Sequence, residues 1–303
     1  MEEHSKVFIG VDAAKLRHAV AVAEDGRQGE IRYLGEIGAD AESVRRLVAK
    51  LEKRHGSRLH FCYEAGPTGY GLYRQLIELG HKCDVVAPSL IPRKAGDRIK
   101  TNRRDAQQLA RLLRAGELTA VWVPDKAHEA VRDLVRARQA AVDDLRRKRQ
   151  ALSSMMLRQG RVYPGKKTWG ARHAQWLQAQ RFDHPAHGLV LQELLLAARH
   201  AGERLERVET AITEFLPGWS LAPVVEALRA LRGVSLVGAV TIMAEIGDLR
   251  RFDSPRQLMG YLGLVPGERS TGESVRRFGI TTVSCSNCHY AVVPRGGVGR
   301  LPS

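Results

Sequence analysis

Three apolar runs occupy the first 37 residues, before any helical period begins. Val7-Phe8-Ile9-Gly10-Val11 is a short buried strand that ends on Asp12. His18 to Ala23 reads as a second strand, and Ile31 to Ile37 as a third. Glu24-Asp25-Gly26 between the last two is a hairpin turn signal. Only then does the period change. Asp40 is a candidate N-cap for a helix from Ala41 to about Arg54, with Val44, Leu47, Val48 and Leu51 as its apolar stripe. Leu59 to Tyr63 is a fourth strand, ending on Glu64-Ala65-Gly66-Pro67. A helix through Leu72, Leu76 and Leu79 closes at Gly80, and a fifth strand runs from Lys82 to Ala87, stopped by Pro88.

The order β-β-β-α-β-α-β, then a helix, predicts an α/β domain with a ribonuclease-H-like sheet, because a plain doubly wound fold would start β-α-β. No G-x-G-x-x-G follows the first strand, which argues against a dinucleotide site. A further helix starts near Asn102, with Leu109, Leu112 and Leu113 facing the core. Asn102 and Asp105, three apart, share one face at its N-terminal end. In such a sheet the fourth strand lies beside the first. Asp12, Glu64 and Asp105 would then converge on one sheet edge. Hard oxygen ligands from separate elements suit Mg²⁺. Two such ions can stabilise both the attacking and the leaving oxygen of a phosphodiester displacement. Each acid taken alone is a common cap or surface charge; their joint placement carries the reading.

Charge locates the partner. The chain has 48 Lys and Arg against 33 Asp and Glu, a net charge of +15. Residues 1–88 are neutral overall, with 13 of each sign, whereas residues 89–180 hold 21 basic and 8 acidic side chains. A basic field this localised points to a polyanion, and nucleic acid is the usual one. Apolar residues make up 44% of the chain, yet no apolar run approaches the roughly 18 residues of a membrane span. The start has no signal-peptide core, and four cysteines make no disulfide framework. The expectation is a cytoplasmic protein with no membrane partner.

Two long helices follow, about Lys126 to Gln159 and about Leu189 to Leu216. Their apolar seams alternate steps of three and four, the coiled-coil pattern, so a helical hairpin is expected. A segment with Pro164, Gly165, Gly170 and Pro185 joins them. After Pro217-Gly218 comes a compact helical module. Its turn, Gly233-Val234-Ser235, resembles a helix–hairpin–helix, in which backbone N–H groups meet a phosphate; an ordinary αα-hairpin would read the same. Ser254-Pro255 opens a last helix. The expected domains are an α/β domain over 6–125, a coiled-coil hairpin over 126–216, a small α-helical C-terminal domain over 217–281 and an atypical tail over 282–303. Lys100, Arg103, Arg104, Arg146, Arg147, Lys148, Arg149, Gly233 and Ser235 are the candidate nucleic-acid contacts.

Several motifs also resemble a family. Val11-Asp12-Ala13-Ala14-Lys15, Tyr63-Glu64-Ala65-Gly66-Pro67-Thr68-Gly69 and Lys100-Thr101-Asn102-Arg103-Arg104-Asp105-Ala106 resemble signatures of DEDD-type transposases of bacterial insertion sequences. This is the Piv-invertase-related group, with a RuvC-like N-terminal domain. Leu231-Arg232-Gly233-Val234 and Gly263 to Gly272 resemble its C-terminal transposase domain. The resemblance implies a DNA recombinase that excises and inserts its own element, with Asp12, Glu64 and Asp105 as Mg²⁺ ligands. It implies a serine nucleophile at Ser270, with Thr271 beside it as the alternative, and a guide RNA encoded by the element. It further implies homo-oligomers, dimer or tetramer, with active sites composite between protomers.

Two features depart from that pattern. Asn102 stands where the family usually has Asp, which removes a charge while leaving a carbonyl oxygen for a metal. After Thr281 the family usually continues Lys-x-Gly-Asn into a basic helix, whereas this chain reads Thr282-Val283-Ser284-Cys285-Ser286-Asn287-Cys288-His289. A shifted reading frame near residue 282 would account for this. The lone C-x-x-C is a weak zinc signal. The alternatives are a decayed, catalytically inactive nucleic-acid-binding remnant, or a RuvC-like structure-specific nuclease that needs the acids but not the serine. An actin-like sugar kinase would need Gly-rich phosphate loops that the chain lacks.

Overall fold

The computed structural model describes residues 6–26, 28–56, 59–92, 101–271 and 274–280. Lys100 and the 282–303 tail with Cys285, Cys288 and His289 lie outside the described residues. The chain divides into two compact units, at Val123 and Pro124.

The first unit is built on a five-stranded sheet. Its strands are β1 (Val7–Ala13), β2 (Arg17–Glu24), β3 (Ile31–Gly38), β4 (Leu59–Glu64) and β5 (Lys82–Val86), in the order β3-β2-β1-β4-β5. β1, β2 and β3 pair antiparallel, while β1–β4 and β4–β5 pair parallel. The element order therefore folds as expected: a meander on one side and βαβ units on the other.

Alternation along the strands sorts the two faces. Val7, Ile9 and Val11 of β1 join Leu59, Phe61 and Tyr63 of β4 in one core. Helices α1 (Ala41–His55) and α2 (Gly71–Glu78) cover this face through Val44, Leu47, Val48, Leu51 and Leu76. Asp40 caps α1 by accepting from the Ser43 N–H at 2.9 Å. The other face carries Phe8, Gly10 and Asp12 of β1 and His60, Cys62 and Glu64 of β4. Helix α3 (Asn102–Ala115) lies on it, burying Ala106, Leu109, Ala110 and Leu113.

In the second unit, α4 (Lys126–Arg158) and α6 (Pro185–Phe215) form the expected antiparallel hairpin. Arg138 pairs with Glu209 at 2.8 Å near one end. Leu152, Met155 and Met156 meet Leu191 near the other. The burial seam includes His128 and Val135, which a strict coiled-coil register leaves out. Both are buried because α4 has a second neighbour near its start. That neighbour is the pair α7 (Ala222–Arg229) and α8 (Leu236–Ile246), whose Val225, Ala239, Val240 and Met243 close a core with Val135, Ile212 and Trp219. A short helix α5 (Ala171–Gln178) interrupts the segment joining α4 to α6.

Helix α9 (Pro255–Tyr261) opens on Ser254, which accepts from the Gln257 N–H. The module is not helical to its end. β6 (Pro266–Thr271) and β7 (Ser274–Ile280) form a two-stranded antiparallel hairpin, which corrects the purely α-helical expectation. Arg269-Ser270-Thr271 and Ser274-Val275-Arg276 are short, mostly polar stretches with no helical period. Among the described residues no helix is long and apolar enough to cross a membrane.

Candidate active site

Val11 and Tyr63 are the last paired residues of the β1–β4 ladder, so Asp12 and Glu64 occupy the next positions of adjacent parallel strands. Both follow the alternation onto the face covered by α3. Both are half-buried.

The direction of α3 follows from its contacts. Arg114, in its last turn, donates to the Glu24 and Gly29 carbonyls at 3.0 and 2.7 Å. Glu24 pairs with Val7 at the start of β1. The C-terminal end of α3 thus lies over the start of β1, and its first turn lies toward the end that carries Asp12. Asp105, also half-buried, sits in that first turn. Asp12, Glu64 and Asp105 are therefore placed on one face and at one end of the sheet.

Gly10 permits this approach. A Cβ there would overlap the Ala106 carbonyl oxygen and the Ala110 nitrogen, and would come within 2.9 Å of the Leu109 Cβ. The Cys62 thiol, directly across the ladder from Gly10, points to the Leu109 carbonyl at 3.6 Å. Burial pushes that thiol well above its ordinary range, so it stays protonated and is no nucleophile. The turn after Glu64 is pinned as well. Tyr63 donates its hydroxyl to the Gly69 carbonyl at 3.0 Å, and Ala65 N–H bonds the Val86 carbonyl at 2.9 Å. Burial raises the Tyr63 phenol, which keeps it a donor. Gly10 and Tyr63 are positioning residues absent from the sequence-derived set. Glycine inside an apolar strand is the signal that finds the first, because it marks close approach of another backbone.

The donor chemistry at this edge is carboxylate oxygen, which fits a hard divalent cation. The acids are not drawn into a closed cage: among the described residues no three His, Cys, Asp or Glu side chains group as a metal centre. Asn102 is exposed, at the first position of α3 behind its Thr101 cap.

The basic candidates fall into different surroundings. Arg103 and Arg104 are exposed on the first turn of α3, with the Arg103 guanidinium 5.5 Å from the Tyr33 ring centre. Arg146 and Arg147 are exposed and pair with Asp143 and Asp144 at 3.3 and 3.4 Å, and Lys148 reaches Asp144 at 4.0 Å. Such pairs on a solvated helix contribute little, about 0.5 kcal/mol, and leave the cations open to a phosphate. Arg149 lies over the Trp169 ring at 5.1 Å, so part of its role is to hold the loop joining α4 to α6.

Gly233 adopts φ +89°, the left-handed turn between α7 and α8. Ser235 caps α8 by accepting from the Gly238 N–H at 3.1 Å, which engages its hydroxyl inside the protein. Ser270 and Thr271 sit at consecutive positions of β6, paired with Val275 and Ser274.

Comparison with known proteins gives the family. A family model described as "Transposase" matches residues 9–159, the stretch holding all three acids. A second, described as "Transposase IS116/IS110/IS902 family", matches residues 225–288. The chain is 58% identical over 300 residues to "Putative transposase y4qE" of Sinorhizobium fredii, covering 99% of this chain and 73% of that protein. It is 33% identical over 253 residues to "Transposase for insertion sequence element IS1533" of Leptospira borgpetersenii, covering 83% of this chain and 72% of the relative. By these matches, spread over both of its units, the chain belongs to the IS116/IS110/IS902 family of transposases.

Proposed function

We propose that this transposase cuts and joins DNA strands with Asp12, Glu64 and Asp105 as the acidic centre of a RuvC-like, ribonuclease-H-like domain. The observation that carries the reading is the convergence of these three acids on one face and one end of the sheet. They would hold Mg²⁺, with the Asn102 carbonyl as a further ligand. When bound, such an ion neutralises phosphate charge and favours departure of the leaving oxygen. The exposed Arg103 and Arg104, beside the positive end of α3, draw a phosphate to the same edge.

Ser270 is proposed as the nucleophile, since a primary hydroxyl is less hindered than that of Thr271. Its proton leaves to a base, the hydroxyl oxygen bonds to phosphorus, and the bond to the leaving deoxyribose oxygen breaks. Thr271 is the alternative nucleophile. A guide RNA encoded by the element selects the sites, and the chain acts as a homo-oligomer.

Recombination in cells tests this reading. A plasmid carrying the element's ends and flanking RNA-coding DNA is paired with a target plasmid, and junctions are counted. Junctions are expected from wild type, none from Asp12→Ala, and none from Ser270→Ala with Thr271→Ala still active. Strand cutting that survives both hydroxyl variants would instead assign the chain to a nuclease without strand transfer. Wild type that binds DNA but forms no junction would favour a decayed remnant.

A further inference from the structure

The end of α4 and the segment that joins it to α6 carry a charge pattern of their own. From Leu145 to Phe182 the chain has ten Lys and Arg and no Asp or Glu. Some of these cations serve the fold. Arg149 covers Trp169, and Arg161 lies over Phe182 and donates to the Arg181 carbonyl at 3.2 Å. Arg181 bonds the carbonyls of Gln178 and Gln180. Arg158, Lys166, Lys167 and Arg172 remain exposed, with no acidic partner among the described residues.

The loop that presents them is built, not loose. His173 is buried at its centre, in edge contact with Tyr163 and Trp169 and stacked on Trp176. The Trp169 N–H donates to His173 Nδ1 at 3.1 Å, with Trp169 in the left-handed region at φ 63°. A side chain at Gly165 would strike the Tyr163 ring. Lys166 and Lys167 lie between these anchors. A solvating surface mixes signs, as the second half of α6 does with Arg199, Glu203, Arg204, Glu206, Arg207 and Glu209. A fixed loop that gathers uncompensated cations is self-repelling until a polyanion neutralises it.

We propose that this hairpin tip is a DNA-backbone clamp, formed by Arg158, Lys166, Lys167 and Arg172. Duplex DNA is the occupant argued for, and this rests on the reading that the chain handles DNA. The tip lies about 35 Å along α4 from Val135, where α8 packs, at ~1.5 Å per residue. That is close to one turn of B-DNA. The contact is to phosphates and carries no base specificity.

Binding of a labelled DNA duplex by wild type in EDTA, at 50 to 200 mM salt, tests the proposal without any cutting. Neutralising Lys166, Lys167 and Arg172 to Ala should lower the slope of log affinity against log salt by about 2 to 3, and weaken binding at least ~10-fold near 0.1 M salt. Changing the same lysines to Arg should restore both. The control Arg199→Ala/Arg204→Ala/Arg207→Ala should leave the slope in place. An unchanged slope in the tip variant, or an equal loss in the control, would overturn the clamp. So would loss of binding to an RNA hairpin with DNA binding intact. Cutting is read separately. Wild type that cuts with an unaltered tip slope sinks the clamp alone; wild type that shows the tip effect yet never cuts sinks the catalytic reading alone.

Discussion

Gly10→Val detaches α3 from the sheet and abolishes transposition, although residue 10 carries no chemistry. The new side chain has no room, because the α3 backbone at Ala106 and Ala110 already occupies that space. Neither obstruction is the tip of a flexible side chain, so relief requires moving the helix. Overpacking in a core usually costs about 1–3 kcal/mol, and backbone obstruction places this site at or above the upper end. Asp105, one residue from Ala106, moves with the helix, while Asp12 and Glu64 stay on their strands. Thermal unfolding should show the first unit's transition lowered by ~10 °C or more. Val11→Ile, one residue along on the opposite face, should keep activity. Activity and stability both unchanged in Gly10→Val would mean that α3 does not hold the acid edge together.

Arg136→Ala is the corresponding lesion in the second unit. Glu245 is almost fully buried in α8, and Arg136 from α4 grips its carboxylate through two contacts of 3.0 Å. Arg132 stands 3.9 Å from the same carboxylate and donates to the Ala244 carbonyl at 2.9 Å. His128 adds a bond of 2.8 Å to that carbonyl, donating from Nε2. Burial holds its pKa below the ordinary 6.5, so it serves as a neutral donor. Removing Arg136 takes both of its 3.0 Å contacts from a buried carboxylate, at a cost of about 3 kcal/mol. The double change Arg136→Ala/Glu245→Leu should recover most of that loss, since the penalty comes from the stranded charge rather than from the pair itself. Chemical denaturation of the single and double variants checks this. A double variant as unstable as the single would show that the ion pair itself, rather than the stranded charge, sets the cost.

Much of the first unit was legible because its signals are local. The change from strand period to helix period, the Asp40 cap and the stop at Pro88 each act within a few residues. The acid edge was legible by inference, since strand ends and a parallel β1–β4 pairing place Asp12 and Glu64 side by side. What sequence reasoning missed depends on partners distant in the chain. His128 and Val135 break the coiled-coil register of α4 because α8, about a hundred residues later, covers them. The β6–β7 hairpin was missed because its short strands are polar and charged and show no apolar stripe in the sequence. Arg149 reads as a solvent-facing cation in the run Arg146-Arg147-Lys148-Arg149, yet a tryptophan twenty residues on shares it.

The central claim is that Asp12, Glu64 and Asp105 form one cation-dependent centre for cutting DNA. Cleavage of end-labelled DNA by purified protein, with and without Mg²⁺, tests it most directly when wild type is run beside Glu64→Gln and Asp105→Asn. These substitutions keep size and remove charge. The account predicts cutting by wild type only with the cation, and a loss of about a hundredfold or more in each variant at unchanged DNA affinity. Cutting that proceeds without a divalent cation, or that survives Asp105→Asn at the wild-type rate, would contradict it.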